Sequence, residues 1–431
     1  MFKRKREVFA WMMYDFASSA FVTTVVTVVF STFFTTVLAG GKEGMLIFGR
    51  PVPALTLWSF ALAISAVLVA VTGPVLGALA DAGGHRKRFL ILCAAVGSLA
   101  TCLLFFLTGP QHVWPGFIIF IVANFAFSSA LVFYNAFLPE IAEPAEVGRV
   151  SGFGWASGYL GGGLCLVLSL ALIGRPGWFG ITAQGYWPIR LTFVLVGVWW
   201  FCFSLPTFFI LRENAARATG PRPTLLGSLR EVASTLRHVR RYPDLFRFLI
   251  AYFLYNDGIA TTIIMSAVFA QEELGMSTDD IIKCFLMIQV VALFGALIFG
   301  WIADKAGKRR AILGSFVIWV SVLIYALVVR SPAGFWGMGA TIALVLGGTQ
   351  AASRSLMSEM TPAGRSAEFF GFYSFSGKLS SAIGPALCGL VKLATGSIRL
   401  SIFSLIALFI IGAVLLWTVD EKRAMAAAEK T

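Results

Sequence analysis

Predominantly apolar stretches of 18 or more residues recur along the whole 431-residue chain, and no other feature of the sequence restricts the fold as strongly. At about 1.5 Å of rise per residue, a helix of that length crosses a hydrocarbon core of roughly 30 Å. In lipid the backbone must satisfy its own hydrogen bonds, so these stretches are expected to be helices. Charged residues make up only 13% of the chain, against about 25% in an average soluble domain, and mean hydropathy is +0.84. A soluble globular class is excluded.

The runs fall near 8–38, 54–80, 88–108, 114–138, 149–174, 188–211, 247–270, 281–303, 311–329, 333–357, 368–393 and 397–418, which predicts twelve spans. The first follows Lys3-Arg4-Lys5-Arg6 but is too long for a signal-peptide core, so it is expected to be retained. With the amino terminus in the cytoplasm, 25 of the 34 Lys and Arg residues lie in or beside cytoplasmic segments. The opposite loops hold few, among them Lys42, Arg50, Arg175 and Arg190. The positive-inside rule therefore expects both termini inside a bacterial plasma membrane. The net charge of +13 is topogenic in this arrangement, and no nucleic-acid partner is expected.

The longest polar connector, basic and near 212–246, divides the spans six and six: an amino-terminal bundle over 1–211 and a carboxy-terminal bundle over 247–431 with a short tail. Inside it, LLGSLREVASTLRHV has apolar positions near helical spacing and suits an amphipathic helix at an anionic inner leaflet or a solvated linker helix. Six cysteines sit in apolar runs without CxxC spacing, and the three histidines form no HExxH pattern. No metal, cofactor or enzymatic constellation is expected, and no P-loop suggests nucleotide hydrolysis.

The two halves repeat. GALADAGGHRKR (Gly77 to Arg88) follows the second run and GWIADKAGKRR (Gly300 to Arg310) the eighth, with Asp81 and Asp304 separated by 223 residues. Glu140 and Glu359, Gly152 and Gly371, and Gly158 and Gly377 are each 219 apart, the mark of a duplication. The duplicated Gly-x-x-x-Asp-x-x-Gly loop with its basic cluster resembles the signature loop of the major facilitator superfamily. That resemblance implies two pseudo-symmetric six-helix bundles, a solute site between them and alternating access. It also implies gating by Asp81, Arg86, Asp304 and Arg309, with the aspartates latching the cytoplasmic side, and Glu140 and Glu359 read as gate or loop residues. WMMYDFASSAF (Trp11 to Phe21), FLYNDG (Phe253 to Gly258), NAFLPE (Asn135 to Glu140) and SGFGWASGYLGG (Ser151 to Gly162) further resemble the vacuole-effluxer family of autophagy-related amino-acid transporters, here in a compact bacterial type.

Ionisable residues inside spans cost roughly 2.5–3.5 kcal/mol each at a helix centre and are the default functional candidates. Asp15 and Asp257 occupy related positions in the first and seventh helices, and Lys378 lies about 15 Å into the eleventh. Asp257 and Lys378 are expected to face one cavity, either as an ion pair that fixes helix packing or as solute and coupling contacts. Asp15, with no cation evident at its depth, is expected to carry a proton. Tyr14, Asn124, Asn135, Trp155, Tyr159, Tyr255, Asn256, Gln289 and Gln350 suit cavity hydrogen bonds or bonds between helices. Gly154, Gly158 and Gly162 form a small-residue stripe for close packing rather than a nucleotide loop. The expected function is a proton-coupled secondary transporter of a small solute, an amino-acid exporter by resemblance, working as a monomer. A lipid or lysolipid flippase, and a non-transporting sensor or enzyme, are the alternatives.

Overall fold

The computed structural model describes residues 3–41, 44–47, 49–182, 184–213, 224–237, 241–380 and 383–429. Lys42 and parts of the expected linker, 214–223 and 238–240, lie outside the described residues. Among the described residues the apolar runs are helical over most of their length. Among the described residues nine helices are long and apolar enough to cross a membrane: Lys5–Leu38 (α1), Ala54–Gly83 (α2), Arg86–Phe106 (α3), Pro110–Ile141 (α4), Val147–Gly174 (α5), Gln184–Ile210 (α6), Pro243–Glu272 (α8), Asp279–Ala306 (α9) and Ile398–Trp417 (α14). The linker contributes Leu225–Arg237 (α7), and Lys308–Tyr325 (α10), Pro332–Met360 (α11), Ser366–Leu379 (α12) and Ile383–Thr395 (α13) lie between α9 and α14. Of these, α12 and α13 are only 14 and 13 residues long, and α10 and α11 carry charges such as Lys308 and Arg354. Glu421–Glu429 (α15) follows α14.

One local departure from regular helix has a sequence cause. Beyond Ala20, α1 runs through π-helical turns at Phe21–Val28 and Phe34–Leu38, a segment crowded with β-branched Val and Thr. In the expected eleventh run, α12 and α13 are described on either side of 381–382, which lie outside the described residues, and Pro385 in the first turn of α13 brings no N–H to a helical ladder. A two-stranded antiparallel hairpin, Met45–Ile47 with Arg50–Val52, follows α1 on the face opposite the termini.

Small residues decide where the amino-terminal part of the chain (to 213) meets the carboxy-terminal part (from 224). The helix α2 crosses α12, and α5 crosses α9 and α11. A Cβ at Gly77 would fall inside 3.0 Å of the Ala367 carbonyl and the Glu368 nitrogen, and one at Gly371 would lie 2.5 Å from the Cα of Pro74. On the other side a Cβ at Gly152 would lie 2.5 Å from the Ala296 carbonyl oxygen, and one at Gly300 2.7 Å from that of Gly148. Backbones this close require glycine on at least one helix of each pair. The stripe Gly154, Gly158 and Gly162 packs α5 on Trp11, Asp15, Ser19 and Thr23 of α1.

Candidate functional site

The repeated loops end α2 and α9 on the face that carries both termini, and each aspartate reaches the start of a helix in the other part of the chain. The Glu368 amide of α12 donates to Asp81 Oδ2 at 2.8 Å. The amides of Gly148 and Arg149 at the start of α5 donate to the two oxygens of Asp304 at 2.7 and 3.0 Å, and Arg149 Nε adds a third bond at 3.0 Å. A carboxylate against the open amides and positive dipole end of a helix is a favourable pairing. Both contacts are nearly sealed from solvent, the two aspartate side chains being 5% exposed.

Behind each aspartate stands the first residue of the next helix. Arg86, buried, pairs with Asp81 at 3.3 Å and with Glu140 at 2.6 Å, and its own amide donates to Glu213 at 2.7 Å. In the second loop that place is taken by Lys308, which pairs with Glu359 at 2.6 Å and donates to the Pro144 carbonyl at 3.0 Å. Arg309, named with Arg86 as a gating residue, does not occupy the corresponding place. The second loop is one residue shorter between its aspartate and the next helix, so Lys308 opens α10 while Arg309 donates to the carbonyl of Val419. Arg309's amide bonds Glu421 at 2.6 Å, as Arg86's does Glu213. Asp244 binds Arg423 of α15 at 2.5 Å, which holds that guanidinium above its ordinary range.

Deeper in the molecule one arginine joins the two parts. Arg354 of α11 is 3% exposed and reaches α1, α4 and α5 at once. It donates from Nη1 to Asp15 Oδ2 at 2.9 Å and to Asn135 Oδ1 at 3.4 Å, from Nε to the Ser151 hydroxyl at 3.0 Å, and from Nη2 to the Ser151 carbonyl at 2.7 Å. Tyr134 donates its hydroxyl to the same Asp15 oxygen at 2.8 Å. The guanidinium lies over the rings of Trp11 at 4.7 Å and Trp155 at 5.3 Å. The expectation that Asp15 has no cation at its depth is thus overturned. By position Arg354 counts among the charges in or beside cytoplasmic segments, yet it stands 219 residues after Asn135, the repeat spacing, and meets that residue across the two parts of the chain.

The Asp257–Lys378 pair is also not formed. Asp257, wholly buried, accepts from the Gly384 amide at 2.6 Å and from the Thr261 hydroxyl at 3.3 Å, and so caps the start of α13. Lys378 has no ion pair among the described residues and is half-buried. It lies two turns beyond Gly371 on the face of α12 that meets α2.

The other candidates join helices. Asn124 donates to Ser65 at 2.6 Å, Tyr159 to Gln350 at 3.1 Å, Gln289 to Thr23 at 3.4 Å, and Asn256 to Ser380 at 2.7 Å. Of these, Tyr159–Gln350 and Gln289–Thr23 run between the two parts of the chain. Tyr255 shares a 2.7 Å bond with Ser353, and Tyr14 stacks on Tyr134. The Trp155 indole nitrogen is buried and has no hydrogen-bond partner among the described residues.

Residues 3–429 match the family described as "Vacuole effluxer Atg22 like". The MFS-type transporter YxiO of Bacillus subtilis (strain 168) is 31% identical over 96% of this chain and 94% of its own length. Autophagy-related protein 22-1 of Penicillium rubens is 25% identical over 89% of this chain and 78% of its own. Among solved structures, the human organic anion transporter MFSD10 superposes with a TM-score of 0.74 over 96% of this chain and all of its own, at 15% identity.

Proposed function

The chain belongs to the vacuole effluxer Atg22-like family, and from that premise, with its transporter relatives and their fold, we propose that this membrane protein moves a small solute by proton-coupled alternating access. In this reading twelve helices form two bundles, 1–211 and 247–431, joined by the 212–246 linker, and both termini face the cytoplasm of a bacterial plasma membrane. The observation that carries the reading is the Asp15–Arg354 pair. It is buried, it joins α1 to α11 across the two parts of the chain, and any opening of the face with the termini must pull it apart.

Separating a buried ion pair without compensation costs about 3–5 kcal/mol. A proton on Asp15 removes one of the two charges, so opening no longer separates an ion pair and has only the weaker contacts of Arg354 with Ser151, Asn135 and the two tryptophan rings left to break. Protonation and opening are then the same event energetically, which is what coupling requires. With both aspartate latches and this pair engaged, the face with the termini is shut, and the solute site opens to the opposite side.

Among the described residues Lys378 has no ion pair and the Trp155 indole no hydrogen-bond partner, and either group suits a solute carboxylate, which favours a carboxylate-bearing solute such as an amino acid. Asp257 is committed to α13 and is removed from the solute site proper. In proteoliposomes, Asp15→Asn is expected to lose uptake driven by an imposed pH gradient and to retain exchange of solute down its own gradient. Full pH-driven transport by that variant would refute the assignment.

A further inference from the structure

The bilayer-facing surface carries a cavity of about 370 Å³ whose walls come from both parts of the chain. Val71 and Pro74 of α2 form one wall, Ile250 and Phe253 of α8 and Phe375 of α12 the other, and Val232 of α7 roofs it towards the face with the termini. Ser376 is the polar side chain in the lining, and its hydroxyl is spent on the Leu249 carbonyl at 2.6 Å. The rim residues Val71, Ile250 and Phe375 are 65%, 55% and 40% exposed. These exposed apolar side chains sit on spanning helices, so the medium at the mouth of the cavity is acyl chain rather than water.

The roof supplies the second half of a recognition site. The helix α7 buries Ser228, Val232 and Thr235 against the protein and exposes Leu226, Leu229, Arg230 and Arg237. Leucines beside arginines on an outward face suit the headgroup region of an anionic leaflet. We infer that this slot binds one acyl chain of an anionic phospholipid, with its headgroup against Arg230 and Arg237, and that the bound lipid holds the face with the termini shut. The second part follows from the walls. Pro74 lies at the Gly371 crossing, so α2 and α12 part when that face opens and the slot comes apart with them. A ligand that fits one state alone shifts the population towards it. The inference needs the two-state reading above but no particular solute or coupling ion.

The test uses delipidated protein in neutral detergent, with spin labels at Arg88→Cys and Arg310→Cys in a Cys202→Ser background, titrated with phosphatidylglycerol, phosphatidylcholine or inorganic phosphate. Phosphatidylglycerol is expected to raise the short-distance population saturably, several-fold more at a given concentration than phosphatidylcholine, and phosphate to do nothing. Val71→Trp, which fills the slot from its lipid-facing rim, should abolish the response while keeping the melting temperature, and Arg230→Gln with Arg237→Gln should erase the preference for the anionic lipid. Equal responses to the two lipids, a response to phosphate alone, or an unchanged response in Val71→Trp would overturn the inference. Failure of the solute reading would appear in transport assays and leave these distances untouched.

Discussion

The two copies of the repeated loop keep one device and vary what surrounds it. Both place an aspartate on the amide end of a helix in the other part of the chain, but Asp304 collects two amides and a guanidinium where Asp81 collects one amide and an arginine from its own loop. The cation behind each also differs in reach. Arg86 bonds the Ala136 carbonyl and Glu140 within the amino-terminal part, whereas Lys308 extends from the carboxy-terminal part to the Pro144 carbonyl of the other. Duplication preserved the cap and let the cation drift. The second latch therefore carries more bonds that must break on opening, and the first depends more on backbone fit and on bracing from outside.

Steric substitution tests that division with the largest expected effect. A methyl at Gly77 meets the backbone of Ala367 and Glu368, which cannot turn aside. At Gly148 the nearest atom is Asp304 Oδ1 at 2.5 Å, a side-chain atom, followed by the Gly300 carbonyl at 2.6 Å. Gly77→Ala should open the face with the termini by up to about 3 kcal/mol, and Gly148→Ala by less, within the range of overpacking costs of roughly 1–3 kcal/mol. Distances between labels at Arg88 and Arg310 read the result. A closed population in Gly77→Ala equal to that of the unsubstituted protein would show that the close crossing of α2 and α12 does not set the state.

Charge removal sharpens the comparison at intermediate size. Hydrogen bonds to charged groups contribute about 1.5–3 kcal/mol, roughly twice the neutral kind. Asp304→Asn weakens three such bonds and Asp81→Asn one, so the first should shift the same distances by about 2 kcal/mol and the second by about 1 kcal/mol. The reverse order would break the claim that the second latch is the stronger.

The positions of the helices and the duplication were legible in the sequence because apolar length and residue spacing are properties of the chain itself. The aspartate caps were foreseeable for the same reason: each motif sits at a helix end. Arg354 was misread because a charge near a run's end looks like a loop charge, although its spacing from Asn135 held the signal. Lys308 was not singled out because the cluster Lys308-Arg309-Arg310 does not itself reveal which member opens the next helix. Asp257 shows a different limit. Its partner is a backbone amide at the start of α13, and a sequence does not reveal which helix start will turn its open amides towards a buried carboxylate.

The smallest effect belongs to the braces. At the first latch Thr235 of α7 donates to Glu368 Oε1 at 2.7 Å and Arg365 pairs with Glu368 at 2.6 Å, so the residue whose amide Asp81 holds is gripped from the linker side as well. At the second latch the comparable outside support, α15, acts on α10 through Glu421 and Arg309 and does not touch the α5 amides that Asp304 holds. Thr235→Val keeps the shape of the buried side chain and removes both the bond it donates to Glu368 and the bond it accepts from Arg365, so part of the support behind the Glu368 amide is lost. Because that loss falls on the latch with fewer bonds of its own, it should add to Asp304→Asn and couple with Asp81→Asn. A double-mutant cycle on the label distances should therefore give an interaction energy of about 0.5 kcal/mol or more for Thr235 with Asp81 and near zero for Thr235 with Asp304. Equal coupling to both aspartates would mean that the linker helix steadies the whole face, and the distinction between a bonded latch and a braced one would fall.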